Sequence, residues 1–309
     1  LPAEHVGMKK ELLLQWMAES QMLEKANVRL NDAAILVSEW FRKKGFRTCI
    51  LKGQGNALMY PNPYSRTPGD IDIWVEGGDK RVISFVRSIS PHEKACYHHI
   101  EFPSYKGVEV EVHYWPSFLL CFWHNRKLQK YYERVKEEQF SHRVKLGEQG
   151  EIAIPTVEFN LIFQLTHIYA HLMNEGIGLR QLLDYYYVLS MLNVNCEMLT
   201  SLQKELKELG LWKFAGAIMY IMQEVFGMPA SRLIVPPNEK YGRFVLNEVL
   251  EAGNFGKHDA RNRFGRSQLG HNLQRVYRDM RLVRYFPAEA LCEPLFRTWH
   301  FFWRVKNKK

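Results

Sequence analysis

The sequence is short of cysteine and has no long apolar run, and each shortage closes off a class of protein. Its 309 residues include five cysteines, Cys49, Cys96, Cys121, Cys196 and Cys292, with no Cys-x-x-Cys pair. That spacing offers neither a disulfide framework nor a zinc knuckle, and it fits a reduced, cytoplasmic protein. No apolar stretch approaches the ~20 residues that cross a bilayer, and no signal peptide is visible. Acidic excess is also missing. There are 42 Lys or Arg against 33 Asp or Glu, a net charge of +9. The whole of that excess lies in residues 254–309, which carry 13 Lys or Arg and four Asp or Glu. A hydrophobic content of 46% excludes global disorder, and the length predicts about two domains.

The stretch Arg66-Thr-Pro-Gly-Asp-Ile-Asp-Ile-Trp-Val75 carries the densest chemistry. Residues i and i+2 of a strand share a face, so Asp70 and Asp72 aim together while Ile71, Ile73 and Val75 face a core. Two convergent carboxylates repel and are costly to desolvate, a cost that a divalent cation removes. All-oxygen ligands suit Mg²⁺, which completes its shell with water and substrate phosphates. Taken alone, Asp-x-Asp also fits a solvated Pro-Gly-Asp turn running into an edge strand. Upstream, Thr48-Cys-Ile-Leu-Lys-Gly-Gln-Gly-Asn56 reads as a short strand, a glycine turn and a helix start, with Lys52 beside backbone N–H groups suited to an anion. Downstream, Val108-Glu-Val-Glu-Val-His113 alternates strictly, which puts Glu109, Glu111 and His113 on one face and supplies a third carboxylate. Phosphate cradle, paired Asp and a later acidic strand residue together describe a two-metal phosphoryl-transfer site.

That order resembles the DNA polymerase beta-like nucleotidyltransferase superfamily. Leu51-Lys-Gly53 through Tyr60-Pro61, Arg66, Gly69-Asp-Ile-Asp72 and Val110-Glu-Val-His-Tyr-Trp115 more closely resemble a bacterial family of uncharacterised nucleotidyltransferases. His167 to Asp184 and the Trp-rich end are similar to it as well. The usual Gly-Ser turn stands here as Gly53-Gln54 or Gly55-Asn56, and the third acid is Glu. The resemblance implies an α+β protein: a minimal nucleotidyltransferase mixed sheet with flanking helices, plus a mostly helical C-terminal domain. It implies an enzyme that moves a nucleoside monophosphate from an NTP, ATP first among them, to an acceptor hydroxyl or phosphate with release of pyrophosphate. Asp70, Asp72 and Glu111 would be the catalytic and metal residues holding Mg²⁺ ions, two in number. Lys52, Gly53, Gln54 and Arg66 would bind the nucleotide phosphates, and the helical domain would supply the base pocket and acceptor site. A small molecule, a protein side chain, an RNA end or a sugar phosphate all fit as acceptor. The alternative is a catalytically silent nucleotide-binding scaffold or an adaptor acting through the basic C-terminal region.

Along the chain, residues 1–46 read as two N-terminal helices packing on the sheet domain, 47–150 as the catalytic core, and 151–309 as the helical domain. Expected core elements are strands at 47–51, 71–75, 95–102 and 108–114, with helices at 55–60 and 79–89; Pro103 to Gly107 forms the turn of a hairpin. His98 and His99 read as ordinary strand residues, and His113 as either an edge of the site or a packed histidine. The mixed-charge tract from Lys127 to Lys145 reads as an exposed helix or connector. His167, His171 and Glu175 share a helical face, better explained as a polar seam toward Arg180 or Asp184 than as a metal site. Tyr185–Tyr187 read as packing. Residues 253–265 read as a mobile loop. Arg275, Arg278, Arg281 and Arg284 recur as a basic stripe that meets either acidic side chains of the same protein or a polyanion. The aromatic, basic tail from Leu295 reads as a core-packing helix in preference to a membrane-surface or nucleic-acid contact.

Overall fold

A computed structural model describes residues 9–148, 150–193, 195–253, 259, 261, 264 and 267–307. The described residues open on one helix, α1 (Lys10–Lys43), where the sequence reading has two. No glycine or proline interrupts residues 10–44, so nothing stops the helix until Gly45, which takes φ +81° beyond its end. Next come β1 (Thr48–Ile50), the short α2 (Gln54–Ala57), β2 (Ile71–Val75), α3 (Gly78–Ile89), β3 (His99–Tyr105) and β4 (Val108–His113). The four strands form one mixed sheet in the order β1-β2-β4-β3, with β2 and β4 parallel and both outer pairs antiparallel.

Two details differ from the sequence reading. β3 begins at His99, four residues later than expected, and Pro103 lies inside it with a register shift between Phe102 and Tyr105. Proline is tolerated there because β3 is an edge strand. The turn itself is only Lys106-Gly107, with φ +50° and +78°, the two-residue turn whose positive φ values match strand twist.

The helix α4 (Phe122–Ser141) ends before the expected charged tract does. Its remainder forms a second sheet, the hairpin of β5 (Arg143–Leu146) and β6 (Gly150–Ala153). Charged residues alternate there with Val144, Leu146 and Ile152, which hides a half-buried strand behind a polar composition. Among the described residues the remaining α-helices are α5 (Val157–Asn174), α6 (Leu179–Met191), α7 (Cys196–Glu208), α8 (Trp212–Glu224), α9 (Glu239–Ala252), α10 (Gln268–Leu282) and α11 (Pro287–Lys306). Most of the expected loop at 253–265 lies outside the described residues.

Contacts divide the chain into two units. One comprises Leu1–Glu93, His99–Tyr114 and Gln139–Pro155; the other comprises Lys94–His98, Trp115–Glu138 and Thr156–Lys309. In the first, Phe41, Ile50, Ile71, Ile73, Val75, Ile100 and Val112 are buried between α1, α3 and the sheet. Trp40, Phe41, Phe46, Phe85 and Phe102 form a ring cluster on that face. Two close approaches join β6 and its flank to this unit: a Cβ on Gly150 would sit 3.0 Å from Ile35 Cγ2, and one on Gly55 3.1 Å from Ile154 Cγ2.

The second unit is a helical body cored by Phe159, Phe163, Leu165, Tyr185, Phe214 and Ile218. Tyr185 donates to the Leu161 carbonyl at 3.1 Å, and Tyr186 rests on Phe226, so these tyrosines pack. Two of the stripe arginines meet acids of this unit: Arg281 lies 3.2 Å from Glu248 and Arg275 3.9 Å from Glu293. The histidine seam pairs internally, His171 Nδ1 standing 3.6 Å from Glu175. Glu175 is held below its ordinary pKa by His171, with Arg275 and Arg278 adding to the effect. No described helix is long and apolar enough to cross a membrane.

Candidate active site

Strand pairing assembles the site. The parallel register of β2 and β4 sets Asp72 opposite Glu111, and the antiparallel register of β3 and β4 sets His99 opposite His113. Leu51 extends the β1 pairing by donating to the Asp72 carbonyl at 2.9 Å, which leaves Lys52 beside the Asp72 carboxylate. Asp70, Asp72 and Glu111 each offer a carboxylate oxygen, and the three oxygens lie within 4.8 Å of one another. The one-strand Asp pair and the distant Glu thus converge.

The electrostatics of this cluster are frustrated. Asp72 is 2% exposed, and its Oδ1 meets both Lys52 Nζ at 3.0 Å and His113 Nε2 at 2.9 Å. His113 also stands 3.4 Å from Glu111. Burial opposes the imidazolium, but hydrogen bonds to Asp72 and Glu111 outweigh it and push the His113 pKa up to about 9. Burial likewise opposes the Lys52 charge, yet Asp72 and Asp70 raise its pKa. Even so, three acids face two cations. The Asp72 charge, helped by burial, lifts Asp70 to about 6. A third carboxylate whose ionisation is pushed up by its neighbours marks a place where further positive charge is accommodated.

His99 was read as an ordinary strand residue, and the register brings it to the rim instead. Its Nδ1 lies 3.7 Å from Glu111 and its ring 5.3 Å from that of His113. Burial lowers its pKa to about 4, so it is neutral. The available signal was its place in a strand that pairs with the acidic one; that pairing is a tertiary fact. His98 points elsewhere and packs against Phe118.

The glycine turn resolves in favour of Gly53-Gln54. Gly53 adopts φ +61° at the start of α2, within reach of the Asp70 backbone: a Cβ there would lie 3.5 Å from its carbonyl oxygen. A side chain would be strained at that φ. The Gln54 side chain turns away into α1, donating to Asn31 Oδ1 and, at 3.4 Å, to the Asn27 carbonyl. Only its backbone remains for an anion. Arg66 is 6% exposed rather than a surface residue; its carbonyl accepts from Asn27 and its Nη1 donates to the Thr67 carbonyl at 3.3 Å. A cavity of about 310 Å³ opens beside Asp70, lined among others by Arg29, Pro68, Gly69, Lys106 and Glu109.

With this geometry in view, the similarity to known proteins is specific. The family described as uncharacterised nucleotidyltransferase matches residues 4–227. The chain belongs to that family. The matched span covers every residue of the acidic cluster and its glycine turn. A solved structure of an antigenic nucleotidyltransferase-like protein from Paracoccidioides brasiliensis overlaps with 69% of this chain and 96% of its own, at 12% identity and a TM-score of 0.39. No curated protein matches the sequence.

Proposed function

We propose that this nucleotidyltransferase-family protein is a Mg²⁺-dependent enzyme that transfers a nucleoside monophosphate from an NTP, ATP first, to an acceptor hydroxyl or phosphate. The observation that carries the reading is the convergence of Asp72 and Glu111 from two parallel strands, with Asp70 just ahead of the first, into one underneutralised oxygen cluster. The donor set fits a hard divalent ion: oxygen only, within closing distance, and with the Asp70 charge only partly offset by Lys52. Bound there, Mg²⁺ would neutralise triphosphate charge and polarise the α-phosphorus.

The chain's own groups do the rest. The N–H groups around Gly53 and Gln54 receive the β and γ phosphates, and Lys52 leaves Asp72 to join them. Arg66 holds the turn that presents Asp70. Glu111, at 35% the most exposed of the two acids flanking His113, takes the acceptor proton as its oxygen attacks the α-phosphorus. The α–β phosphoanhydride bond breaks, and pyrophosphate departs with the electron pair. His113 keeps Asp72 and Glu111 oriented through both steps. The cavity beside Asp70, with Arg29 and Lys106 on its wall, gives a substrate room to reach the acids.

One observation favours a silent scaffold as the second reading: Lys52 and His113 both hold Asp72 Oδ1, as they would in a protein that takes no metal. Pyrophosphate release and thermal stabilisation by ATP, GTP, CTP and UTP, each with and without Mg²⁺, separate the two. The enzyme reading expects one nucleotide to act only with Mg²⁺ and Asp72→Asn to abolish turnover while leaving the fold intact. Undiminished turnover in Asp72→Asn, or no response to any nucleotide, rejects it.

A further inference from the structure

The second unit brings together two pairs of residues that lie far apart in sequence. Cys121 and His124 bracket the start of α4, and Glu289 and Cys292 occupy the first turns of α11. Each pair is spaced i, i+3, so each presents both side chains on one helical face. Cys121, His124 and Glu289 offer a sulfur, an imidazole nitrogen and a carboxylate oxygen, all within 4.8 Å of one another. The Cys292 thiol lies outside that group of three but interacts with the Cys121 thiol, which puts a fourth donor beside it.

The surroundings hold these donors in place. Glu289, 2% exposed, accepts from the backbone N–H groups of Leu120 at 2.6 Å and Cys121 at 3.0 Å, both through Oε2. Its Oε1 is left facing His124 Nδ1 at 3.3 Å. The Phe122 N–H reaches Cys292. Three successive amides at the N-terminus of a 20-residue helix therefore face the acid and the thiol, a setting that favours negative charge. The His124 ring is fixed by Gly210, where a Cβ would stand 2.3 Å from its Cε1.

We propose that Cys121, His124, Glu289 and Cys292 form a structural Zn²⁺ site in the helical unit, separate from the acidic cluster of the sheet. Two thiolates, one imidazole and one carboxylate are the soft and borderline donors that zinc selects over magnesium. A zinc tetrahedron sets its ligand atoms about 3.3–3.8 Å apart, so the three grouped donors close by roughly 1 Å and the Cys292 thiol turns in from beside Cys121. Binding releases the two thiol protons. The remaining single negative charge faces the α4 N-terminus. Glu289 is the pivot, anchored to α4 by one oxygen and coordinating through the other.

The test uses the reduced 309-residue chain loaded with limiting Zn²⁺, or with Co²⁺ as a spectroscopic substitute. The site predicts one tightly held zinc per chain and, with cobalt, a thiolate charge-transfer band together with the strong visible bands of tetrahedral coordination. Both disappear in Cys121→Ser and in Cys292→Ser and persist in Cys196→Ser. In the unmutated protein, which avoids any folding defect of the variants, zinc slows alkylation of Cys121 and Cys292 roughly tenfold or more. Gly210→Ala weakens the site by displacing the imidazole. Cobalt bound without a thiolate band, a band that survives both serine variants, a Cys121–Cys292 disulfide in place of metal, or alkylation indifferent to zinc each overturns the proposal.

Discussion

Two ionic clusters in this protein are built from similar parts and reach opposite ends. In the helical unit, Glu248 and Asp259 meet Arg261 and Arg281: Arg261 contacts Glu248 at 2.8 Å and Asp259 at 2.8 Å, and Arg281 contacts Glu248 at 3.2 Å. Acids and cations balance, and hydrogen bonding to Arg261 carries Asp259 below its ordinary value in spite of burial. In the sheet unit, three acids share Lys52 and His113, and Asp70 is driven upward. A balanced cluster gains from being left alone. An unbalanced one gains from a ligand, and that difference separates a structural ion network from a site.

Substitutions should split along the same line. The largest effect is expected at Asp72→Asn, with nucleotidyl transfer falling roughly 10³-fold or more and the thermal midpoint little changed, because relief of the repulsion on Asp70 is offset by loss of the charge that Lys52 and His113 pair with. Arg261→Ala should do the reverse. It leaves Glu248 and Asp259 underpaired and costs about 1–3 kcal/mol of stability in chemical denaturation, with kcat unaltered.

The pH dependence sharpens the contrast. Asp70 has its folded pKa raised to about 6, above its ordinary 3.8, so the metal-free protein gains stability at this residue as pH falls toward 5. Mg²⁺ competes with that proton, and its apparent affinity, read by calorimetry, should fall up to tenfold per unit below pH 6. His113 has its folded pKa raised from 6.5 to about 9. Its contribution to stability is complete below pH 6.5 and is lost as pH rises through 9. NMR titration should find that value, and His113→Gln should flatten the alkaline limb of the stability profile.

The smallest effect separates side chain from backbone in the glycine turn. Gln54→Ala removes the contact to Asn31 and should cost about 1–2 kcal/mol of stability while leaving the KM for nucleotide within about twofold, since the phosphate-facing groups proposed there are main-chain.

Much of the acidic site was legible along the chain because strand periodicity is local. Asp70 and Asp72 two apart, and Glu111 alternating with valines, identify their faces without any tertiary knowledge. Gly53 announced its turn in the same way, although only the φ of +61° decided between it and Gly55. His99 was not legible, because its proximity to Glu111 depends on which residue of β3 lies opposite His113. A one-residue slip of that register would have turned it to the other face. The β5–β6 hairpin was hidden by charge, and α1 was divided in two where no helix breaker stands.

The sequence by itself determined the family, through a likeness that runs over residues 4–227, and the candidate acids, through spacings of two residues that backbone geometry converts directly into shared faces. Only the tertiary structure decided that Asp72 and Glu111 stand side by side, that Lys52 and His113 converge on one oxygen, and that Cys121 and His124 meet Glu289 and Cys292 across more than 160 residues. Those encounters follow from strand register and helix packing. Such long-range pairings are fixed by the burial of whole faces, and no short window of sequence contains the information to set them.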